Sequence, residues 1–219
     1  MVTLFETEIQ KLNKRITDAY KSHETPNRRL ILDGLVDVKA YIDCNLKIMW
    51  ILKEPRDGAD STGGGWSIVE NIRDFRSEGL NRDTPLTFLP IIYTSYALQN
   101  GIKRFDQLDL RQVYTNYCQS LKKIAYINIQ KLPAKSTSKD SEITHAYEKH
   151  KELILDQIKT LRPDFIICCA GSTIHQKLAK DLPQDFLKTT QLRFCYHPAQ
   201  RKMKRENYIR EILDDYFKK

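Results

Sequence analysis

Lys47-Ile48-Met49-Trp50-Ile51-Leu52-Lys53-Glu54-Pro55 is the stretch whose reading decides the fold. Residues 47–52 are an almost uninterrupted apolar run, the pattern of a parallel strand covered on both faces. A strand of that kind delivers its functional loop at its C-terminal end. Beyond Leu52 come Lys53-Glu54-Pro55-Arg56-Asp57-Gly58 and then Gly63-Gly64-Gly65-Trp66-Ser67, so half of the 8 glycines fall between positions 58 and 65. Such a stretch allows positive φ angles and close approach of backbone N–H groups to a ligand, and it is equally compatible with a flexible surface loop. It lacks the Lys-Ser/Thr of a P-loop.

Three further strands are expected outward from this one. Residues 125–129 carry Asn128, a poor strand former that must satisfy its amide if buried. Residues 165–170 end at Gly171, and residues 192–196 run into His197-Pro198. Between them the apolar spacing is helical. Phe5, Ile9, Leu12, Ile16 and Tyr20 predict a helix over 4–21 that ends before Thr25-Pro26-Asn27. Ser67 caps a helix over 67–78, and 85–99 and 109–124 read as helical or mixed. A loop over 131–141 leads to a helix that opens at Ser141 and stops at Arg162-Pro163. Ser172 and Thr173 cap another, and Ile209, Ile212, Leu213 and Tyr216 mark a closing helix. Strands alternating with helices predict a three-layer α/β/α sandwich around a central four-stranded, mainly parallel sheet. The length of 219 residues suits a single domain over 1–219, with 1–30 as an N-terminal helical extension packed on it.

Composition narrows the function class. Apolar residues make up 41% and charged residues 29%, which fits neither disordered nor collagen-like chains. The formal charge of +8 favours acidic partners such as nucleic acid. It is concentrated: residues 120–151 hold seven Lys against three acidic residues, and residues 197–219 hold seven Lys/Arg against four. A pair of solvated helix faces would look the same. The five cysteines form no CxxC pair, which fits a reducing cytosol rather than a disulfide framework. Cys195 and His197 lie two apart, a spacing any strand produces, so no metal, iron–sulfur cluster or other cofactor is expected. The N-terminus reads as neither a signal peptide nor a membrane anchor.

Each expected strand therefore ends in distinctive chemistry: Glu54-Pro55 and a glycine loop with Trp66, then Asn128, then Gly171-Ser172, then His197-Pro198. In this order and spacing, Ile51-Leu52-Lys53-Glu54-Pro55, Trp66-Ser67, Ile127-Asn128, residues 163–171 and Tyr196-His197-Pro198-Ala199 resemble the motifs of the uracil-DNA glycosylase superfamily. With Asp33-Gly34-Leu35-Val36 they are similar to a glycosylase-like bacterial branch of it. The resemblance covers roughly residues 30–215.

That resemblance implies a DNA glycosylase that hydrolyses the N-glycosidic bond of uracil or another deaminated or damaged base, a monomer of the bacterial cytosol and nucleoid. Glu54, or else Asp57, would orient the attacking water or stabilise an oxocarbenium-like sugar. The competing structural reading is a loop carboxylate that caps a helix or pairs with Arg56. Trp66 would stack on the flipped base, or else it is a core aromatic. Asn128 would read the base edge, and His197 would donate to its carbonyl oxygen as charge builds there. Ser172 and the run Arg201-Lys202-Met203-Lys204-Arg205 would contact DNA, the cations on phosphates and Met203 as an apolar wedge. Two other readings stay open: a nucleic-acid-binding module of the same fold without turnover, and a hydrolase acting on free nucleosides or nucleotides.

Overall fold

The run at 47–52 forms the strand Ile48–Leu52 in the middle of a mixed sheet. The computed structural model describes residues 2–57, 62–73, 85–115, 117–134 and 139–218. Its strands are β1 (Gly34–Leu35), β2 (Ile48–Leu52), β3 (Ile124–Asn128), β4 (Phe165–Cys168) and β5 (Gln191–Phe194), in the order β1-β3-β2-β4-β5. The four expected strands are all present and mutually parallel. The fifth, β1, is a two-residue strand antiparallel to β3, too short to leave a periodic signature in the sequence.

Every residue of β2, β3 and β4 is buried, as the near-continuous apolar runs require, whereas edge strand β5 is only partly covered. Alternation divides the side chains between two cores. Ile48, Trp50, Leu52, Ile124 and Tyr126 face α3 (Ile68–Arg73), α4 (Pro85–Gln99) and α10 (Arg205–Phe217), with α5 (Leu110–Thr115) and α6 (Tyr117–Lys122) completing that layer. Met49, Ile51, Ala125, Ile127 and Ile166 face α2 (Val38–Ile42), α7 (Asp140–Leu161), α8 (Ser172–Asp181) and α9 (Gln184–Thr189). Burying each such side chain contributes about 1.5–3 kcal/mol. Trp50 is fully enclosed and donates its indole N–H to Ser95 Oγ at 3.0 Å, so its one polar atom carries no desolvation penalty.

Helix α1 (Val2–Lys21) lies against α7 and buries Leu12, Ile16 and Tyr20 in a small cluster with Leu30 and Leu132. Two helix starts differ from expectation. Helix α7 opens at Asp140, where the Lys139 backbone N–H donates back to Glu142 Oε2 at 3.1 Å. Helix α8 is preceded by Gly171 at φ 109°, a conformation that suits glycine, and Ser172 is its first helical residue rather than its cap. The start of α3 is as expected, with the Glu70 N–H donating to Ser67 Oγ at 3.3 Å. Positions 74–78 of the expected 67–78 helix, and 135–138 of the expected loop, lie outside the described residues.

Candidate active site

The C-terminal ends of β2, β3 and β5 set out the expected residues along one end of the sheet. Register pairs Leu52 with Asn128 and Ile51 with Cys168, and Cys168 with Phe194. Glu54 therefore lies two residues past β2 and His197 three past β5. The chain leaving β3 stays beside the chain leaving β2, because the Gln130 N–H donates to Lys53 O at 2.9 Å and the Ala134 N–H to Pro55 O at 3.2 Å. That pairing fixes the path of Glu54, whose side chain is half-buried and whose Oε2 is shut away from solvent.

Asp57 is engaged within the loop through one of its oxygens. Its Oδ2 accepts the Gly64 N–H at 2.8 Å and the Trp66 indole N–H at 2.6 Å. It braces the loop, and Trp66, half-buried and packed against the α4 side of the core, is anchored through it. The described glycines of the loop are not a cradle of free N–H groups either. Gly63 N–H donates to Asn27 O and Gly65 N–H to Leu30 O, both at 2.8 Å, so with Gly64 on Asp57 all three amides are engaged internally. Gly64 has φ 82°, and a Cβ there would lie 1.9 Å from Arg29 O, so close approach of two backbones explains the glycine. Gly58 lies outside the described residues.

Asn128 is wholly buried, and neither its Oδ1 nor its Nδ2 has a hydrogen-bond partner among the described residues. An amide so placed carries the desolvation cost of both ends. Its backbone, by contrast, is tied down on both sides. The N–H donates to Asp33 Oδ2 at 2.7 Å and the carbonyl accepts from Lys131 Nζ at 3.1 Å. Lys131 also donates to both Asp33 oxygens at 2.8 and 2.9 Å and to Gln157 Oε1 at 2.9 Å, while Gln157 Nε2 donates to Asp33 Oδ1 at 2.9 Å. This buried ion pair, with Asp33, Lys131 and Gln157 each no more than 3% exposed, holds the end of β3. The sequence pattern does not announce it. The one available signal is Gln157, a polar residue beside the apolar stripe of Ile154, Ile158 and Leu161 on α7.

His197 is half-buried, and its pKa is pushed down to about 4, first by burial and then by the Lys53 ammonium. The Ala199 N–H donates to its Nδ1 at 3.2 Å, so the proton of the neutral ring resides on Nε2. The ring is therefore a fixed, uncharged donor at neutral pH. Lys53 itself is ion-paired to Asp140 at the start of α7, 2.8 Å away. Its electrostatic effect on His197 links the ends of β2 and β5 across the intervening β4.

Ser172 is exposed at the start of α8, past β4. Arg201, Lys202, Lys204 and Arg205 are exposed, and Met203 packs half-buried against the core. Gln200 ties this turn together, since its Oε1 accepts the Lys202 and Met203 N–H groups at 2.6 and 2.9 Å. Lys202 Nζ sits 4.7 Å over the exposed Tyr196 ring. The thiols of Cys168 and Cys195 are pushed up to about 12, chiefly by burial, which keeps them protonated and unreactive. Among the described residues, no three His, Cys, Asp or Glu side chains cluster as metal ligands, and no helix is long and apolar enough to cross a membrane.

No protein-family model and no curated protein matches the sequence. Among solved structures, the chain is similar to the wild-type UNG of Nitratifractor salsuginis, at 14% identity over 78% of this chain and 71% of that one, with a TM-score of 0.40.

Proposed function

We propose that the chain is a DNA glycosylase that removes uracil or another deaminated or damaged base by hydrolysis. The observation that carries this reading is the state of His197 at the same end of the sheet as Glu54: a neutral imidazole with Nδ1 occupied by the Ala199 N–H and Nε2–H left to donate. A charged imidazole is not required for this chemistry. A preorganised neutral donor stabilises the negative charge that builds on a base carbonyl oxygen as the base departs. Water adds to C1′ while the C1′–N bond breaks and its electron pair leaves with the base. The water's proton passes to Glu54, which orients the nucleophile. In this reading Trp66 offers the stacking surface, and the Asn128 amide would meet the base edge only once it is uncovered from its present burial.

The basic turn supports a nucleic-acid substrate. Lys204 and Arg205 stand at the N-terminal end of α10, where cations oppose the helix dipole and a docked phosphate would relieve them. The test is to incubate the folded protein with single- and double-stranded oligonucleotides bearing uracil, hypoxanthine, xanthine or alkylated bases and to cleave abasic sites with alkali. Strand breaks that depend on the modified base are expected; none with any base overturns the proposal.

One observation favours a second reading, binding without turnover: the Asn128 amide is 0% exposed, so no base edge reaches it in this conformation. That reading expects salt-dependent DNA affinity that survives Glu54→Gln and His197→Ala, with turnover absent in every form.

A further inference from the structure

A second site lies on the other side of the chain leaving β3. A cavity of about 260 Å³ opens between the end of α1, the 23–28 segment, residues 130–132 and the outer face of α7. Its walls carry Tyr20, His23, Arg28, His145, Lys149 and His150, and no carboxylate among the described residues lines it. Asp33, which acts on Tyr20 electrostatically, is already matched by Lys131 at 2.8 Å.

The side chains are arranged around the opening rather than scattered. His150 stacks on Tyr20 with ring centroids 4.2 Å apart, and His23 meets His150 edge-on at 5.5 Å. Lys149 Nζ lies 3.4 Å from His23 Nδ1, where the ammonium donates to the ring nitrogen and leaves the other nitrogen of His23 to carry its proton. Arg28 is oriented by its Nε–H, which donates to Pro133 O at 3.0 Å. Helix α7 departs from helical angles at His150 (φ −119°, ψ 20°), in the wall of the cavity.

Five basic side chains converging with no acid among the described lining residues form a field that favours an anion. Burial, His23, Lys149 and Lys131 together push His150 down to about 4, as expected where positive charge is crowded without a counter-ion. The volume accommodates a tetrahedral oxyanion with several waters, each needing about 30 Å³. A guanidinium beside an ammonium and imidazole N–H donors is suited to phosphate oxygens.

We infer that this cavity is a phosphate-binding site, formed by Arg28, Lys149 and the three histidines. It is separate from the strand-end site and stands whether or not that site excises a base. Its ligand is a phosphate group, supplied either by a nucleic-acid backbone or by a free phosphate or monoester. Gln130 and Leu132 also line the cavity, and Gln130 is paired to Lys53, so the segment that carries Asn128 borders both sites.

The test is a histidine-resolved NMR titration of the full chain with inorganic phosphate, against chloride at equal ionic strength. Saturable shifts of His23, His145 and His150 are expected with phosphate alone, together with a rise in the titration midpoint of His150. Both His145 and Lys149 are exposed on α7, so His145→Ala and Lys149→Ala should leave the fold intact and together weaken phosphate binding about tenfold. An undamaged single-stranded oligonucleotide that displaces phosphate identifies a backbone source. Displacement by a nucleoside monophosphate and not by the oligonucleotide identifies a monoester source. Either result supports the site. Absence of any saturable shift, or binding unchanged in the double variant, overturns it.

Discussion

His197 is controlled by two neighbours that both favour the neutral ring. The Ala199 N–H fixes its tautomer, and burial with Lys53 keeps it uncharged. Replacing Lys53 by Met should therefore raise the His197 titration midpoint from about 4, which histidine-resolved NMR would read directly. A midpoint unmoved by that change would mean that the ammonium does not act on the ring. The same shift sets the sign of a stability effect. His150 and His197 both titrate near 4 when folded, against 6.5 for an ordinary histidine. Between those values the unfolded chain binds more protons, so stability is undiminished above pH 6.5 and falls as the pH drops toward 4. Urea unfolding at a series of pH values checks this. Such shifts have no sequence signature, because they arise from burial and from a lysine on another strand. What was legible at this scale was residue type and order: Glu54, Asn128 and His197 are each set just at or past a strand end.

At the scale of elements, the end of β3 depends on the Asp33–Lys131 pair. Lys131→Met leaves a buried carboxylate with its main counter-charge gone and should cost about 3–5 kcal/mol by urea unfolding. Asp33→Asn in the same protein should restore a substantial part of that loss. Equal, additive losses would show that the two residues do not act as a pair. The glycine loop gives a second test. Gly64→Ala forces a Cβ to within 1.9 Å of Arg29 O at a positive φ, and should cost more than about 2 kcal/mol. The sequence marked this loop by its glycines but could not show whether their amides face a ligand or the 27–30 segment. That depends on a pairing between segments more than thirty positions apart. The ion pair was hidden for the same reason: Asp33, Lys131 and Gln157 come from three separate parts of the chain.

For the whole molecule, the sheet and its two helical layers were readable because β2, β3 and β4 are covered on both faces and so carry continuous apolar runs. Among the described elements, β1 escaped notice because two residues carry no period, and the short helices α2 and α9 were not anticipated either. The charge of +8 has also become more specific. Part of it forms the exposed turn at 201–205 beyond β5, and Arg28 and Lys149 bring part of it to the proposed phosphate cavity. If the turn contacts phosphates, Arg201→Ala with Lys204→Ala should weaken DNA binding about equally for all sequences and reduce the slope of log affinity against log salt by about 1 to 2. An unchanged slope would place the DNA contacts elsewhere.

The most direct measurement is the single-turnover release of free base from the best modified oligonucleotide, by wild type against Glu54→Gln and His197→Ala, each shown to be folded. The account predicts release by wild type, with losses of roughly 10²-fold or more for each variant. Wild type that releases no base from any substrate, or variants that match its rate, would contradict it.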